Sequence, residues 1–234
     1  MTLPPGQQAI DTFPRFGTHL HERPPAVPAD PVIEIGGALI EPFTVSQADL
    51  ANVPRRDLTA DFHCVAGWSA TGLRWEGVPF AAFYRACVEP RLQPGATATH
   101  VLLACLDGYR IGVSLEDALG DDVLLADRLD GQPLDGRHGA PFRFVSPGQY
   151  GFVNAKHLCR IEIHASEPTD DYGGNLLTRT LMRLFSRHPR ARVWQEERHR
   201  FLPPVFVRLL GKAIIRPVRD LSARGAASGG TPPN

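Results

Sequence analysis

The sequence predicts a mixed α+β domain dominated by β-strands, a β-rich mixed fold. Three observations point to it: short segments rich in Val, Ile, Leu, Phe and Trp, clusters of Gly, Pro and Asp between them, and only two or three stretches of helical period. The first 31 residues carry seven prolines, at 4, 5, 14, 24, 25, 28 and 31. Proline fixes φ and removes a donor, so an extended arm is expected there, one that wraps the domain or is disordered. Val32-Ile33-Glu34-Ile35 reads as a strand, Gly36-Gly37 as a turn and Thr44-Val45-Ser46 as a second strand or a helix entry. Ser46 is placed to cap one or two helical turns through Leu50. Asp61–Val65 is a strand that ends at Gly67, and Arg74–Val78 a further strand. Pro79–Cys87 spaces Phe80, Phe83, Tyr84 and Cys87 as one apolar face, which predicts an amphipathic helix. Thr99–Leu106 and Tyr109–Val113 flank Asp107-Gly108 as a hairpin. Ser114 caps a short helix, Val123–Ala126 is a strand, and Phe142–Val145 and His157–His164 complete the set.

The 234 residues include 25 basic and 25 acidic side chains and 43% hydrophobic residues, enough for a substantial core. No apolar run reaches the roughly 18 residues of a membrane-spanning helix, so no transmembrane segment is expected. The first residues show neither a signal peptide nor an Arg-Arg leader, so a cytoplasmic location is expected. The zero net charge hides an asymmetry: residues 1–170 hold 13 basic and 21 acidic side chains, residues 171–234 hold 12 and 4. Because the basic part is interleaved with Leu, Phe, Val and Ile, docking on the acidic body is favoured over binding nucleic acid. His188 and His199 lack the spacing of a metal site. Helical period in 176–185 and 204–221 predicts a basic helical extension over 166–222, followed by a disordered tail at 223–234. The four cysteines, at 64, 87, 105 and 159, form no zinc or redox pair and no disulfide framework.

Two clusters carry chemistry. In His63-Cys64-Val65-Ala66-Gly67-Trp68-Ser69 a cysteine stands at a strand end just before a glycine. Such a thiol can be a nucleophile, a metal ligand or an inert core group. In Arg137–Val145 and Gly148–Lys156, glycines allow close main-chain approach to a ligand. There Arg143 offers a bidentate fork and Lys156, one of only two lysines, a point charge. Taken alone, the same residues read slightly more readily as a solvated surface loop.

The stretch from Asp61 to Ile163 resembles the molybdopterin-binding domain of the sulfite oxidase superfamily. Cys64-Val65-Ala66-Gly67-Trp68-Ser69, Trp75-Glu76-Gly77-Val78, Asp107-Gly108-Tyr109, His138-Gly139-Ala140-Pro141-Phe142-Arg143 and Tyr150-Gly151-Phe152 with Lys156 carry the resemblance. Phe13-Pro14-Arg15-Phe16-Gly17-Thr18 adds a similarity to the bacterial protein-methionine-sulfoxide reductase branch. The resemblance implies one Mo-molybdopterin held within residues 11–165, with Cys64 as the metal ligand through sulfur. It implies that Arg143 and Lys156 hold the pterin phosphate, and that Phe16, Gly17, Thr18, His138, Gly151 and Phe152 line the pterin. His63 is either a pterin contact or a structural histidine, since strand alternation turns it away from Cys64. Tyr109 either approaches the metal or packs, and Cys87, Cys105 and Cys159 are expected to be core thiols.

The activity implied is oxygen-atom transfer on a small sulfur- or nitrogen-containing substrate. Sulfoxide or N-oxide reduction is favoured over sulfite oxidation, because no arginine follows Cys64 closely. With no haem-binding Cys-x-x-Cys-His, electrons are expected to pass to or from a separate protein. The immunoglobulin-like dimerisation domain of larger members is not expected within these residues. A metal-free binding module of the same fold and a nucleic-acid-binding protein remain as alternatives.

Overall fold

A computed structural model describes residues 2–15, 24–168 and 187–201. In chain order the elements are β1 (Gln8–Ile10), β2 (Val32–Gly37), β3 (Phe43–Ser46), α1 (Gln47–Leu50), β4 (Arg56–His63) and β5 (Trp68–Pro79). There follow α2 (Phe80–Phe83), β6 (His100–Cys105), β7 (Arg110–Ser114), α3 (Leu115–Ala118), β8 (Leu124–Leu129), β9 (Gln132–Pro133), β10 (Arg143–Val145) and β11 (Leu158–His164). The β-rich α+β class is as expected.

The strands form two sheets. In the five-stranded sheet the order is β3-β2-β11-β6-β7, with β2 and β11 parallel and the other pairs antiparallel. The six-stranded sheet centres on β5, whose one edge pairs antiparallel with β4 along most of its length. Its other edge takes β1 in parallel at Trp68–Ala70 and β8 antiparallel at Trp75–Pro79, and β10 and β9 extend β8.

Both faces of this second sheet are covered, because its strands alternate apolar side chains on each side. Val78, Leu125 and Phe144 point into the main core shared with the five-stranded sheet. Trp75, Leu124, Ala126 and Val145 point the other way, into a second core with Phe62, Cys64 and Trp68. Ile10 and Phe13, in the described part of the proline-rich arm, pack on that second core.

Local signals hold where the chemistry is local. Ser46 and Asp49 form a reciprocal capping box on α1, and Ser114 caps α3 by accepting from Asp117 N. Three expectations are corrected. Gly36 and Gly37 do not form a turn: they belong to β2, and Gly37, at φ 90°, lies so close to β11 that a Cβ would sit 2.2 Å from the Ile163 carbonyl oxygen. Arg74–Val78 is no separate strand but the middle of β5. The helix at Pro79 keeps α-geometry only to Phe83, then widens into a π-turn at Tyr84–Val88 and ends in a 3-10 turn at Glu89–Arg91.

All four cysteines are free thiols, with Cys105 buried and Cys87 and Cys159 half-buried. The stretches 176–185, 204–221 and 223–234 lie outside the described residues. The described segment 187–201 is not helical and consists of turns and isolated bridges. It docks on the body: Ala191 and Val193 are fully buried, and Arg190 pairs with Glu116. Among the described residues, no helix is long and apolar enough to cross a membrane.

Candidate active site

The cysteine turn is built by the end of β4 and the start of β5. Cys64 N donates to Trp68 O at 2.8 Å and Gly67 N donates to Cys64 O at 2.9 Å, which closes a tight reversal. Gly67 takes φ of 95°, a conformation only glycine adopts without steric cost. The arm fixes this turn from outside. Gln8 N donates to Gly67 O at 2.9 Å, and the buried Gln7 donates through Nε2 to Cys64 O at 3.1 Å.

Cys64 is 2% exposed, and its Sγ accepts from Ala66 N at 3.4 Å. Burial pushes its thiol up to about 12, against smaller opposing effects of the Ala66 N–H and of Arg198. His63 points the opposite way, with Nδ1 2.8 Å from Ser69 Oγ, while that hydroxyl donates to Gln7 Oε1. The hydroxyl proton is thus committed, and Nδ1–H is the donor to Ser69. His63 does not line the cavity described next, which favours the structural histidine of the two readings the sequence leaves open.

Cys64 opens on a cavity of about 370 Å³. Phe13, Phe62 and Phe152 provide flat apolar walls, and Gly151 lets one of them in: a Cβ there would sit 2.2 Å from Phe62 Cζ. The charged lining is one-sided, with Arg15, Arg137, Arg143, Lys156, Arg187 and Arg198 facing Asp107 as the single acid among the described residues. Arg143 is 2% exposed at the start of β10. Its guanidinium lies 5.0–5.3 Å from the ring centroids of Trp75, Phe62 and Phe13. Nη1 donates to His138 O at 2.9 Å, whereas Nε is buried with no hydrogen-bond partner among the described residues. Burial pulls Arg143 down to about 9, so it is charged at neutral pH. Burial, and next the Arg143 charge, lowers Lys156 to about 8. Two clustered cations, one of them with an orphaned N–H, make this low-dielectric wall suited to an anion.

The loop before Arg143 is organised by Asp135. Its carboxylate accepts from Arg137 N, His138 N and His138 Nδ1 at 2.8–2.9 Å, which holds the carboxyl below its usual range despite burial. His138 lines the cavity, as expected, with its ring stacked at 5.1 Å on Phe13. The Tyr109 ring also lines it, but the hydroxyl donates to Phe152 O at 2.6 Å, which favours the packing role over approach to a metal. Phe16, Gly17 and Thr18 lie outside the described residues.

Sequence reasoning thus finds Cys64, His138, Arg143, Gly151, Phe152 and Lys156 on one cavity. It misses Gln7, Phe62, Arg187 and Arg198. Phe13 and Arg15 carry a signal, since they lie in the Phe-x-x-Phe-Gly-Thr segment; Gln7 and Arg198 carry none, because their partners are distant in sequence.

Comparison with known proteins agrees with this geometry. The uncharacterized oxidoreductase YuiH of Bacillus subtilis is 33% identical over 131 residues, covering 56% of this chain and 63% of its own. The protein-methionine-sulfoxide reductase catalytic subunit MsrP of Ralstonia nicotianae is 28% identical over 152 residues, covering 58% and 44%. The match thus spans between about two fifths and two thirds of these relatives' length. The sulfane dehydrogenase SoxCD of Paracoccus pantotrophus shares the fold, with a TM-score of 0.50 and 22% identity over 58% of this chain and 39% of that one. The model of the oxidoreductase molybdopterin binding domain matches residues 21–172, which contain the cysteine turn, the Arg143 loop and Lys156. The chain therefore belongs to the oxidoreductase molybdopterin-binding domain family, within the sulfite oxidase superfamily.

Proposed function

We propose that the chain holds one Mo-molybdopterin and transfers an oxygen atom to or from a small sulfur- or nitrogen-containing substrate, with sulfoxide or N-oxide reduction favoured. The observation that carries this reading is the polarity of the cavity: a buried thiol at one side, and the cations Arg143 and Lys156 at another, with Arg143 Nε short of a partner among the described residues. A pterin ending in a phosphate fits that donor set, and a thiolate is the soft anionic ligand that a high-valent molybdenum takes. When bound, the metal supplies the two-electron couple by which a sulfoxide, taking up two electrons and two protons, becomes a sulfide and water.

The chain's own residues do the rest. Arg143 and Lys156 neutralise the phosphate and fix the cofactor's orientation. Phe13, Phe62 and Phe152 would exclude water from the bound cofactor, and Cys64 would hold the metal as a thiolate, its proton released. Electrons come from a separate partner protein, and MsrP is itself named as the catalytic subunit of its reductase. A second reading, oxidation of a small oxyanion such as sulfite, is favoured by Arg187 and Arg198. They bring from the C-terminal segment the cationic lining that the sequence after Cys64 lacks.

Protein made in a molybdopterin-competent host is expected to contain one molybdenum per chain and to release a fluorescent pterin on oxidation. Cys64→Ser should keep fold and pterin while turnover falls to background. Protein lacking metal and pterin, or full turnover in Cys64→Ser, overturns the reading. A panel of sulfoxide, N-oxide and sulfite with artificial electron donors and acceptors separates the two directions.

A further inference from the structure

The Cys64 turn is gripped by side chains from outside the family-matched span, Gln7 on one side and Arg198 on the other. Arg198 is 3% exposed and holds three groups at once. Nε donates to Tyr150 Oη at 2.9 Å, Nη1 reaches Val65 O at 3.4 Å and Nη2 reaches Gly6 O at 3.4 Å. Its guanidinium also lies 5.3 Å over the Tyr150 ring.

Val65 O belongs to the same peptide unit as Ala66 N–H, the group that donates to Cys64 Sγ. In a trans peptide C=O and N–H point in opposite directions, so a cation holding the oxygen aims the N–H at the sulfur. A hydrogen bond to the oxygen also polarises the unit and strengthens its N–H as a donor.

We infer that Arg198 is a positioning residue that, through the Val65–Ala66 peptide, tunes the electron donation of the Cys64 sulfur to its metal. This rests on the reading of Cys64 as the molybdenum ligand. A stronger N–H···S bond and a nearby fixed cation both withdraw density from the thiolate, which favours the reduced metal. Arg198 therefore raises the reduction potential of the centre through the Val65–Ala66 peptide.

The test uses the holoenzyme and reads the Mo(V) electron paramagnetic resonance signal and the metal's midpoint potentials, with metal content measured alongside. Arg198→Met should shift the potentials to more negative values and alter the signal at unchanged metal content. Arg198→Lys, which keeps the charge, should restore part of the shift. Tyr150→Phe removes the hydroxyl that tethers Nε and should move the potential in the same direction by less. Potentials and spectra equal to wild type in both Arg198→Met and Tyr150→Phe overturn the inference; where Arg198→Met does not accumulate, Tyr150→Phe alone decides it. Cys64→Ser separates the two claims. An unaltered Mo(V) signal there sinks the ligand reading, whereas an altered signal with unmoved Arg198 and Tyr150 variants sinks only the role of Arg198.

Discussion

Gly139 and Lys156 approach so closely that a Cβ on the glycine would lie 3.0 Å from the lysine Cβ and 3.1 Å from its Cα. Gly139 also takes φ of 110°, which L side chains rarely adopt. Gly139→Ala thus incurs backbone strain of about 1–3 kcal/mol and pushes Lys156 off its position. Lower cofactor content per folded chain, with a lower urea midpoint, is the expected result; wild-type values for both would show that the contact relaxes freely.

Arg143 is a buried cation whose Nε has no partner among the described residues, so the cofactor-free protein bears its desolvation cost. Arg143→Met should raise the stability of the cofactor-free protein by about 1–2 kcal/mol while abolishing cofactor retention. Denaturant unfolding of cofactor-free protein, beside metal analysis of protein from a competent host, checks the two opposite signs. A destabilised cofactor-free variant would mean that the ring contacts and the His138 carbonyl already compensate the charge.

Lys156 titrates near 8 when buried, against 10.5 for a free lysine. Between those values the unfolded chain binds more protons than the folded one, so stability rises with pH. The cost of the buried charge is fully present below pH 8 and fades as pH climbs toward 10.5. Cofactor-free wild type should therefore gain in urea midpoint across that window relative to Lys156→Met, which lacks the titrating group. Parallel curves for the two proteins would contradict the assignment.

Gln7 joins the arm to the turn through Cys64 O and Ser69 Oγ, both buried. Gln7→Ala leaves these groups short of a partner and should cost about 1–3 kcal/mol. Amide exchange at Gln8–Ile10 and around Cys64 should rise together. Exchange confined to the arm would show that the turn stands without it.

The sequence made the site legible where function is written in adjacent residues. Cys64 with Gly67, the Asp107-Gly108 hairpin, the caps at Ser46 and Ser114, and Arg143 after its glycine loop all follow from neighbours in the chain. It was blind where a residue's partner lies far away. Arg198 meets Val65 across 133 positions and Gln7 meets Cys64 across 57, and neither leaves a periodic or motif trace. Gly36-Gly37 misled for the same reason: what demands glycine at Gly37 is the β11 backbone at Ile163, not a turn. His63 was ambiguous because strand alternation gives its direction but not its partner, Ser69.

The grip on the cysteine turn has a consequence for biosynthesis. Its supports are Gln7 and Arg198, separated by nearly the whole described chain, so on the ribosome the turn acquires its final hydrogen bonds only after residue 198 has emerged. Until then the cavity lacks the wall carrying Arg187, Arg198 and His199. The nascent domain therefore passes through an interval in which its sheets can form while the pocket stands open on that side.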